Sequence, residues 1–397
     1  MKTQLTLSGL ERRLKRHLLK ATQHFFAATT PGFEPMLEQE VRLLPHVSAV
    51  RPVTGGVEFS GSLAMVYHAN LKLRTAHRVL LRIDSFTARS YPELYNKARR
   101  RSWELYTGFE KEIAFEAASI SSRLHHTENI VKAVFDGCAD HMLQLGVAVT
   151  RRKEAALRFF VRFANDRCTL SADSSGTLLY KRGYRQELGH APLRETIAAA
   201  LLMNAGWNRF PVIADPLCGS GTFIIEAALL AMNRAAGGGR SFAFLSWPWF
   251  RQSMWERLKR EARVEEKATC PVRLYAADIS PQAVASAKNN AQRAGVADKI
   301  SFRQENCLEF NRNGSVGKSG LIIANLPYGK RAFAANDDLH EFYKNWGEHL
   351  KEFCRGWTYG FVVNDQSFLK RAELPGRQMV QFENGGIPVF FMTGTIT

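Results

Sequence analysis

Long apolar runs, paired cysteines and several common catalytic motifs are missing from this sequence. No stretch approaches the run of about eighteen apolar residues that a membrane-spanning helix needs. The six cysteines are scattered, with no Cys-x-x-Cys pair and no histidine at metal-ligand spacing, which indicates a reducing compartment and argues against zinc. Gly-x-Ser-x-Gly and P-loop motifs are also absent. We therefore expect a cytoplasmic protein without a bound metal and without a membrane-spanning segment.

Acidic residues are scarce relative to basic ones. Lys and Arg total 54 against 37 Asp and Glu, which gives a formal net charge of +17. Such a charge makes a polyanion, above all nucleic acid, the first partner to expect. Any single basic residue of the first half is typical of a solvated helix face or loop, but together with the net charge these residues suggest a track for phosphates. They are Lys97, Arg99, Arg100, Arg101, Arg151, Arg152 and Lys153.

The 397 residues exceed what one ordinary core holds, so the sequence predicts several domains. Residues 1–22 are basic and amphipathic without the apolar region of a secretory signal, and we expect a short basic extension rather than an organelle presequence. Residues 23–70 and 71–180 alternate short strands and helices, which is typical of α+β domains. From 181 to 397, apolar strands separated by amphipathic helices predict a mostly parallel, doubly wound α/β sheet that ends in an antiparallel hairpin.

The first motif in the last segment is Asp215-Pro216-Leu-Cys218-Gly219-Ser220-Gly221-Thr222. A strand that ends in an acid and continues through glycines into a helix N-terminus is the arrangement that holds a nucleoside at the carboxyl edge of an open sheet. The glycines by themselves are equally compatible with a tight turn between a strand and a helix.

Two further strand ends carry polar side chains toward the same edge. Asp278 ends the next predicted strand, where a doubly wound site places its ribose ligand, and Ile279 follows it at the start of a helix segment. Asp278 lies much farther from the glycines than the spacing of about twenty residues in a dinucleotide fold, which argues against NAD. Asn306 and Cys307 follow a third strand, in a loop that could receive an adenine ring, although a structural turn role for Asn306 is as plausible.

The loop that indicates the chemistry is Asn325-Leu326-Pro327-Tyr328. The lone pair of an exocyclic amine is delocalised into its base, so the amine needs acceptors for its hydrogens before it can attack a methyl group. The Asn325 carboxamide oxygen and the Leu326 carbonyl could be those acceptors, Pro327 stiffens the loop, and Tyr328 offers a face on which an extruded base can stack. Taken alone, the four residues could also form an ordinary turn. Lys330 and Arg331 follow directly and are placed to hold phosphates.

These motifs resemble those of the THUMP-domain RNA methyltransferases. The nearest type is the bacterial 23S rRNA guanine-N2 methyltransferase, which is also described as an N6-adenine-specific DNA methylase. The resemblance extends over nearly the whole chain after residue 22. It rests on the segments Leu170-Ser-Ala-Asp-Ser-Ser-Gly176, Tyr180-Lys-Arg-Gly-Tyr-Arg185, Ala191-Pro-Leu-Arg-Glu195, 215–222, Phe242-Ala-Phe-Leu-Ser-Trp-Pro248 and Asn325-Leu-Pro-Tyr-Gly329.

The resemblance implies a ferredoxin-like segment at 23–70, a THUMP RNA-binding domain at 71–180, and a Rossmann-like methyltransferase domain at 181–397 that uses S-adenosylmethionine. It implies that Asp215, Gly219 and Gly221 line the donor with Pro216, Cys218, Ser220 and Thr222 of the same motif, that Asp278 binds its ribose, and that residues 325–328 form the catalytic loop. This chain departs from the family pattern twice, with Leu326 where many members have proline and Asn306 where the adenine ligand is usually Asp. We also expect Lys181, Arg182 and Arg185 to contact RNA.

The sequence therefore predicts an S-adenosylmethionine-dependent methyltransferase of the exocyclic N2 of a guanine in RNA. The expected substrate is 23S rRNA, free or in a ribosome assembly intermediate. Adenine-N6 methylation of RNA or DNA is the first alternative, because the same loop serves both amines. A non-catalytic RNA-binding assembly factor with the same fold is the second.

Overall fold

The computed structural model describes residues 4–186, 193–314, 316–327 and 336–397, without the side chains of 336–338. The chain forms two compact units. The first comprises Met1–Thr29, Glu38–Leu179 and Ser241–Leu258, and the second comprises Thr30–Leu37, Tyr180–Arg240 and Lys259–Thr397. The segment 241–258, expected within the last domain, thus belongs to the first unit, where Phe244 and Trp255 pack on Tyr67 at ring-centroid distances of 5.1 and 6.1 Å.

The first unit contains a sheet of eight strands in the order β2-β3-β1-β4-β8-β7-β5-β6. Its central strand β4 pairs antiparallel with both β1 and β8, so one sheet runs through the segments expected as ferredoxin-like and THUMP domains. Asn165 and Asp166 turn β7 into β8 with φ angles of 50° and 61°, as expected of a hairpin with these residues. The strands are β1 (Gln23–Ala28), β2 (Ser48–Val53), β3 (Gly56–Gly61), β4 (Arg78–Thr87), β5 (Glu112–Ile120), β6 (Thr150–Arg151), β7 (Leu157–Ala164) and β8 (Arg167–Asp173).

The second unit contains a sheet of seven strands in the order β11-β10-β9-β12-β13-β15-β14. The first five strands in this order are parallel, and β15 runs antiparallel between β13 and β14, which confirms the predicted hairpin. The strands are β9 (Val212–Asp215), β10 (Arg273–Asp278), β11 (Ile300–Gln304), β12 (Leu321–Asn325), β13 (Thr358–Val363), β14 (Arg377–Asn384) and β15 (Ile387–Thr395).

Local sequence signals begin several helices. Thr6 and Ser90 accept backbone N–H groups at the starts of two helices of the first unit, and Ser280 caps a helix of the second unit with Pro281 at its first position. The helices are α1 (Leu7–Leu14), α2 (Glu34–Arg42), α3 (Met65–Lys72), α4 (Tyr91–Arg99), α5 (Glu104–Thr107), α6 (Thr127–Gln144), α7 (Glu195–Asn204), α8 (Thr222–Ala231), α9 (Gln252–Val264), α10 (Pro281–Arg293), α11 (Asn336–Phe353) and α12 (Phe368–Arg371).

Apolar cores cover both faces of the seven-stranded sheet. One core joins residues of α7, α8 and α10 to Ile213, Ile323 and Val362 of the strands. The other joins residues of α11 and α12 to Ala214, Ala324 and other strand residues that point to the opposite side. Helices on both faces of a mostly parallel sheet define a doubly wound, Rossmann-like fold, which confirms the predicted fold class. Within the described residues, the structure contains no helix both long and apolar enough to cross a bilayer.

Candidate functional site

The strand order of the second unit creates a crevice at the carboxyl edge of its sheet. The chain runs from β9 outward through β10 to β11 and then returns to the other side of β9 as β12. Ligands of open α/β sheets bind where the strand order reverses in this way. The register of β9 with β12 ends at Ala214 opposite Ile322, whereas β12 continues to Asn325 opposite Val362 of β13. Strand β12 therefore extends beyond the residues that pair with β9.

Two backbone N–H groups of the glycine loop after β9 donate hydrogen bonds to residues of β10. The Cys218 N–H donates to the Ala277 carbonyl at 2.8 Å, and the Gly219 N–H donates to Asp278 Oδ2 at 2.9 Å. A Cβ atom built on Gly219 would meet no atom within 4 Å, and its φ is +51°. The space beside this residue is therefore open to a ligand, which would approach the backbone itself.

Helix α10 supports the other half of the loop. Gly221 has a φ of +83°, and a Cβ atom there would lie 3.0 Å from the Cβ of Ala287. One helical turn later, the buried Asn290 donates from Nδ2 to the Ser220 carbonyl at 3.0 Å. The sequence analysis missed Asn290, whose only local signal is a polar residue three positions after Ala287 on the apolar face of the helix.

Burial dominates the electrostatics of the loop. Asp215 is 2% exposed, and its Oδ1 accepts the Leu217 N–H at 3.2 Å. Desolvation raises the pKa of the Asp215 carboxyl well above its usual value, and the nearby Asp278 carboxylate adds to the increase. Burial likewise raises the pKa of the Cys218 thiol, so this cysteine is a neutral wall residue rather than a nucleophile. Pro216, Ser220 and Thr222 are also buried.

The rim of the crevice combines an acid with apolar surface. Both Asp278 oxygens accept backbone N–H groups, Oδ2 from Gly219 at 2.9 Å and Oδ1 from Ser280 at 3.0 Å. These bonds hold the carboxylate in one orientation and leave each oxygen a further lone pair for a hydroxyl group. The next side chain, Ile279, is 63% exposed at the same edge. An apolar side chain beside a fixed carboxylate matches a nucleoside, with its flat base and its ribose.

The third predicted loop has a clear structural role. The Asn306 side-chain oxygen accepts the Leu308 N–H at 3.0 Å and caps the short turn Cys307–Glu309. Asn306 is exposed and Cys307 is 6% exposed. One lone pair of the Asn306 oxygen is thus engaged by the turn, and its second lone pair and its amide hydrogens remain for a ligand.

The predicted catalytic loop leaves the sheet at the crevice. Asn325 is the last residue of β12 and is half-buried. Leu326 is fully buried, and its N–H donates to the Val362 carbonyl at 3.0 Å. Among the described residues no N–H donates to the Leu326 carbonyl, so it stays available as an acceptor. Pro327 is partly exposed, and Tyr328, Lys330 and Arg331 lie outside the described residues.

Two of the predicted RNA contacts occupy a buried network instead. Arg182 Nε donates to Glu226 Oε1 at 2.9 Å, with side chains 3% and 0% exposed, and the Tyr184 hydroxyl donates to the same oxygen at 3.0 Å. Arg185 pairs with Glu195 at 3.3 Å, with side chains 8% and 3% exposed. Buried cations need such partners. The guanidinium groups of Arg182 and Arg185 are therefore not exposed to a phosphate, contrary to the prediction that they contact RNA. Lys181 is exposed.

A fixed carboxylate, an open glycine loop and two amide acceptors thus lie along one edge of the sheet. The part of the chain that the structure describes holds no group of three or more His, Cys, Asp and Glu side chains that could bind a metal ion. The arrangement suits a nucleoside-bearing ligand between β9 and β10 and a polar group of a second ligand beside β12.

Comparisons with known proteins agree with this architecture. Residues 182–391 match the family model described as the RMKL-like methyltransferase domain, which covers more than half of the chain. Residues 24–80 match the ferredoxin-like domain of RlmL. The second match extends beyond residue 70 and includes the start of β4, in agreement with the continuous sheet of the first unit.

Relatives of similar length and of greater length are known. A provisionally named RNA methyltransferase of Synechocystis sp., slr0064, is 32% identical over 372 residues, which cover 92% of this chain and 95% of that protein. The ribosomal RNA large subunit methyltransferase K/L of Psychromonas ingrahamii is 32% identical over 371 residues, covering 91% of this chain and 49% of that protein. The chain therefore spans about half the length of the K/L relative.

A solved structure shares both units. The crystal structure of SMU.472, a provisionally assigned methyltransferase in complex with SAH, has a TM-score of 0.85 and 26% identity, and covers 95% of this chain and 99% of its own. The family match over the whole crevice-bearing unit and the extended identity to slr0064 lead to the same assignment. This chain belongs to the RMKL-like methyltransferase family.

Proposed function

We propose that this protein transfers the methyl group of S-adenosylmethionine to the exocyclic N2 amine of a guanine in RNA, and that the RNA is large-subunit ribosomal RNA. The observation that carries the proposal is the position of Asn325 at the carboxyl end of β12, beyond the residues that pair with β9. Its strand lies next to β9, whose carboxyl end continues into the glycine loop. A methyl donor held on that loop and an amine held at Asn325 would meet at the crevice.

The residues of the crevice fit the donor. The open space beside Gly219 admits a ligand against the backbone, the fixed Asp278 carboxylate is placed to accept ribose hydroxyl groups, and the exposed Ile279 can contact an adenine face. When bound, S-adenosylmethionine supplies a methyl group on a positively charged sulfur. A buried carboxylate such as Asp215 favours a cationic ligand, because the positive charge offsets the desolvation of the charged carboxylate. The SAH complex of the SMU.472 protein supports this donor.

The acceptors on the loop explain how a weak nucleophile can react. The Asn325 oxygen and the Leu326 carbonyl would accept the two hydrogens of the amine and so favour the pyramidal form, in which the nitrogen lone pair is available. The buried Leu326 side chain and its hydrogen bond to Val362 hold the carbonyl in place. No strong base is needed, since the alkylated nitrogen releases its proton readily. Acceptors held in place before the reaction lose little free energy to reorganisation.

The net charge of +17 and the names of the relatives support RNA as the substrate. The charge favours a polyanion in general. The slr0064 protein is named for RNA and the K/L protein for ribosomal RNA of the large subunit. We therefore propose that the target lies in large-subunit ribosomal RNA.

Replacement of Asn325 tests the catalytic role. Asn325→Ala should lower methyl transfer to large-subunit RNA from a strain without the protein by roughly 10²–10³-fold, the usual effect of removing one transition-state contact. Donor binding, measured by titration calorimetry, should remain as in the wild type. Unaltered methyl transfer by the variant would overturn the role of Asn325.

Mass spectrometry of nucleosides from the treated RNA identifies the base. N2-methylguanosine is the product expected of the wild-type protein. N6-methyladenosine would replace the guanine proposal by the adenine alternative. Donor binding without any methylated nucleoside, in ribosomal or transfer RNA, would contradict the proposed substrate, and absence of donor binding would indicate a non-catalytic RNA-binding factor.

A further inference from the structure

Asn364 is a polar residue of the crevice that the proposed reaction has not used. It follows the last residue of β13 directly, at the same carboxyl edge as Asn325. Within the described part of the chain, its side-chain oxygen is buried and has no hydrogen-bond partner, although the residue as a whole is partly exposed. A buried acceptor without a donor is costly, and in a native structure it calls for an explanation such as a ligand.

The strand register places Asn364 close to Asn325. Val362 of β13 lies opposite Asn325 of β12, so Asn364 is two positions farther along the neighbouring strand. Side chains alternate between the faces of a sheet. Ile323 and Val362 belong to the core on the α8 face, whereas Ala324 and Val363 belong to the core on the α11 face. Asn325 therefore lies on the α8 face of β12, and the alternation of β13, continued by one residue, assigns Asn364 to the same face of a strand about 4.8 Å away.

The next acidic residue after β13 is already engaged. Asp365 Oδ2 accepts the Ser367 hydroxyl at 2.7 Å and its Oδ1 accepts the Ser367 N–H at 2.8 Å. Arg371 forms an ion pair with the same carboxylate at 3.3 Å. Asp365 is thus engaged by Ser367 and Arg371, whereas the Asn364 oxygen has no such partner among the residues that the structure describes.

We propose that the Asn364 side-chain oxygen accepts the N1–H of the target guanine and so selects guanine over adenine, an inference that rests on the proposed guanine-N2 activity. In guanine the N1–H and the N2 amine are adjacent donors on one edge. Two acceptors on adjacent strand ends, Asn325 for the amine and Asn364 for N1–H, match that edge. Adenine presents its amine beside a bare N1 lone pair, which would face the oxygen of Asn364. A site built to accept a hydrogen bond rejects analogues that lack the donor.

Asn364 is in this view a specificity-determining residue, and its contact can be removed from either partner. We suggest two synthetic RNAs that span the nucleotide methylated by the wild-type protein. The target is guanosine in one and 2,6-diaminopurine riboside in the other, which keeps the N2 amine but has no N1–H. The wild type should methylate the guanosine RNA with a kcat/KM at least about tenfold higher, as expected for the loss of a hydrogen bond to a buried group.

Variants of Asn364 complete the test. Asn364→Leu and Asn364→Ala both remove the acceptor, so a folding defect of one leaves the other, and either should reduce the preference for guanosine to within about threefold. Asn364→Asp keeps an acceptor and cannot donate to a bare N1, so it should prefer guanosine at least as strongly as the wild type. Calorimetry with S-adenosylmethionine should show unchanged donor affinity in all three.

The outcomes separate the inference from the proposed function. A wild type that methylates neither RNA, or that methylates adenine, overturns the guanine-N2 activity and with it the role of Asn364. A wild type that methylates guanosine, with Leu and Ala variants that retain its full preference over diaminopurine, overturns the role of Asn364 alone. Loss of the preference in the Asp variant as well would also contradict the inference, since the acceptor is retained there.

Discussion

Alanine at the two glycines of the loop after β9 should separate packing from donor binding. Gly219 and Gly221 both have positive φ, at +51° and +83°. A side chain in this conformation costs about 1–2 kcal/mol, and this cost is common to both substitutions. The variants differ in what the added Cβ atom meets. At Gly221 it would lie 3.0 Å from the Cβ and 3.2 Å from the Cα of Ala287, whereas at Gly219 it meets nothing within 4 Å.

The contact between the added Cβ atom at position 221 and Ala287 therefore decides the difference in stability between the two variants. Ala287 is part of α10, whose Asn290 is bonded to the Ser220 carbonyl, so the helix cannot shift without loosening the loop. Overpacking of this kind costs about 1–3 kcal/mol. Gly221→Ala should lower the free energy of unfolding by that amount more than Gly219→Ala does. Urea unfolding followed by circular dichroism measures the difference.

Gly219→Ala, the variant that loses less stability, should lose donor affinity. The methyl group of Gly219→Ala would occupy space that we assign to the donor, and we expect calorimetry to show an S-adenosylmethionine affinity at least about tenfold weaker, or ~1.4 kcal/mol. Gly385→Ala, in the β14–β15 turn with a φ of +62° and open space, is the matched control and should bind as the wild type does. Wild-type affinity of Gly219→Ala, or equal stability of the two loop variants, would refute the reasoning.

Two further predictions concern buried charges. Because burial raises the pKa of Asp215 in the folded protein, the carboxyl ionises more readily in the unfolded state, and this difference destabilises the fold at pH values above the unfolded pKa of about 3.9. Asp215→Asn should therefore raise Tm at neutral pH and weaken donor binding. The gain in Tm should disappear on acidification below the unfolded pKa of about 3.9. A Tm below that of the wild type at neutral pH would contradict this prediction. Arg182→Met leaves Glu226 buried and unpaired and should cost about 3–5 kcal/mol in urea unfolding. The double variant Arg182→Met/Glu226→Leu should recover part of this loss, and equal loss in both would exclude the ion pair as the cause.

Much of the second unit could be predicted from local sequence. Apolar strands, amphipathic helices and helix-start residues such as Ser280 and Pro281 are signals that act within a few residues, and the structure contains these elements. Acidic or amide residues at the predicted ends of β9, β10 and β12 could be assigned to one edge, since parallel strands end on the same side. The family resemblance followed from the same motifs and is confirmed by the matches.

The roles of several charged and polar side chains could not be predicted, because they depend on partners far along the chain. Arg182 and Glu226 are 44 residues apart, and nothing near Arg182 distinguishes a buried cation from an exposed one. Asn306 illustrates a smaller case, where a local turn engages an oxygen that the family pattern would assign to the donor.

The sequence by itself determined the kinds of elements, the fold class of the second unit and the residues at its strand ends, because periodicity and turn chemistry are properties of neighbouring residues. Only the tertiary structure decided that 241–258 belongs with the first unit, that Arg182 and Arg185 are buried, and that Asn364 stands beside Asn325. Strand order and register bring distant residues together, and those contacts have no counterpart in the local pattern.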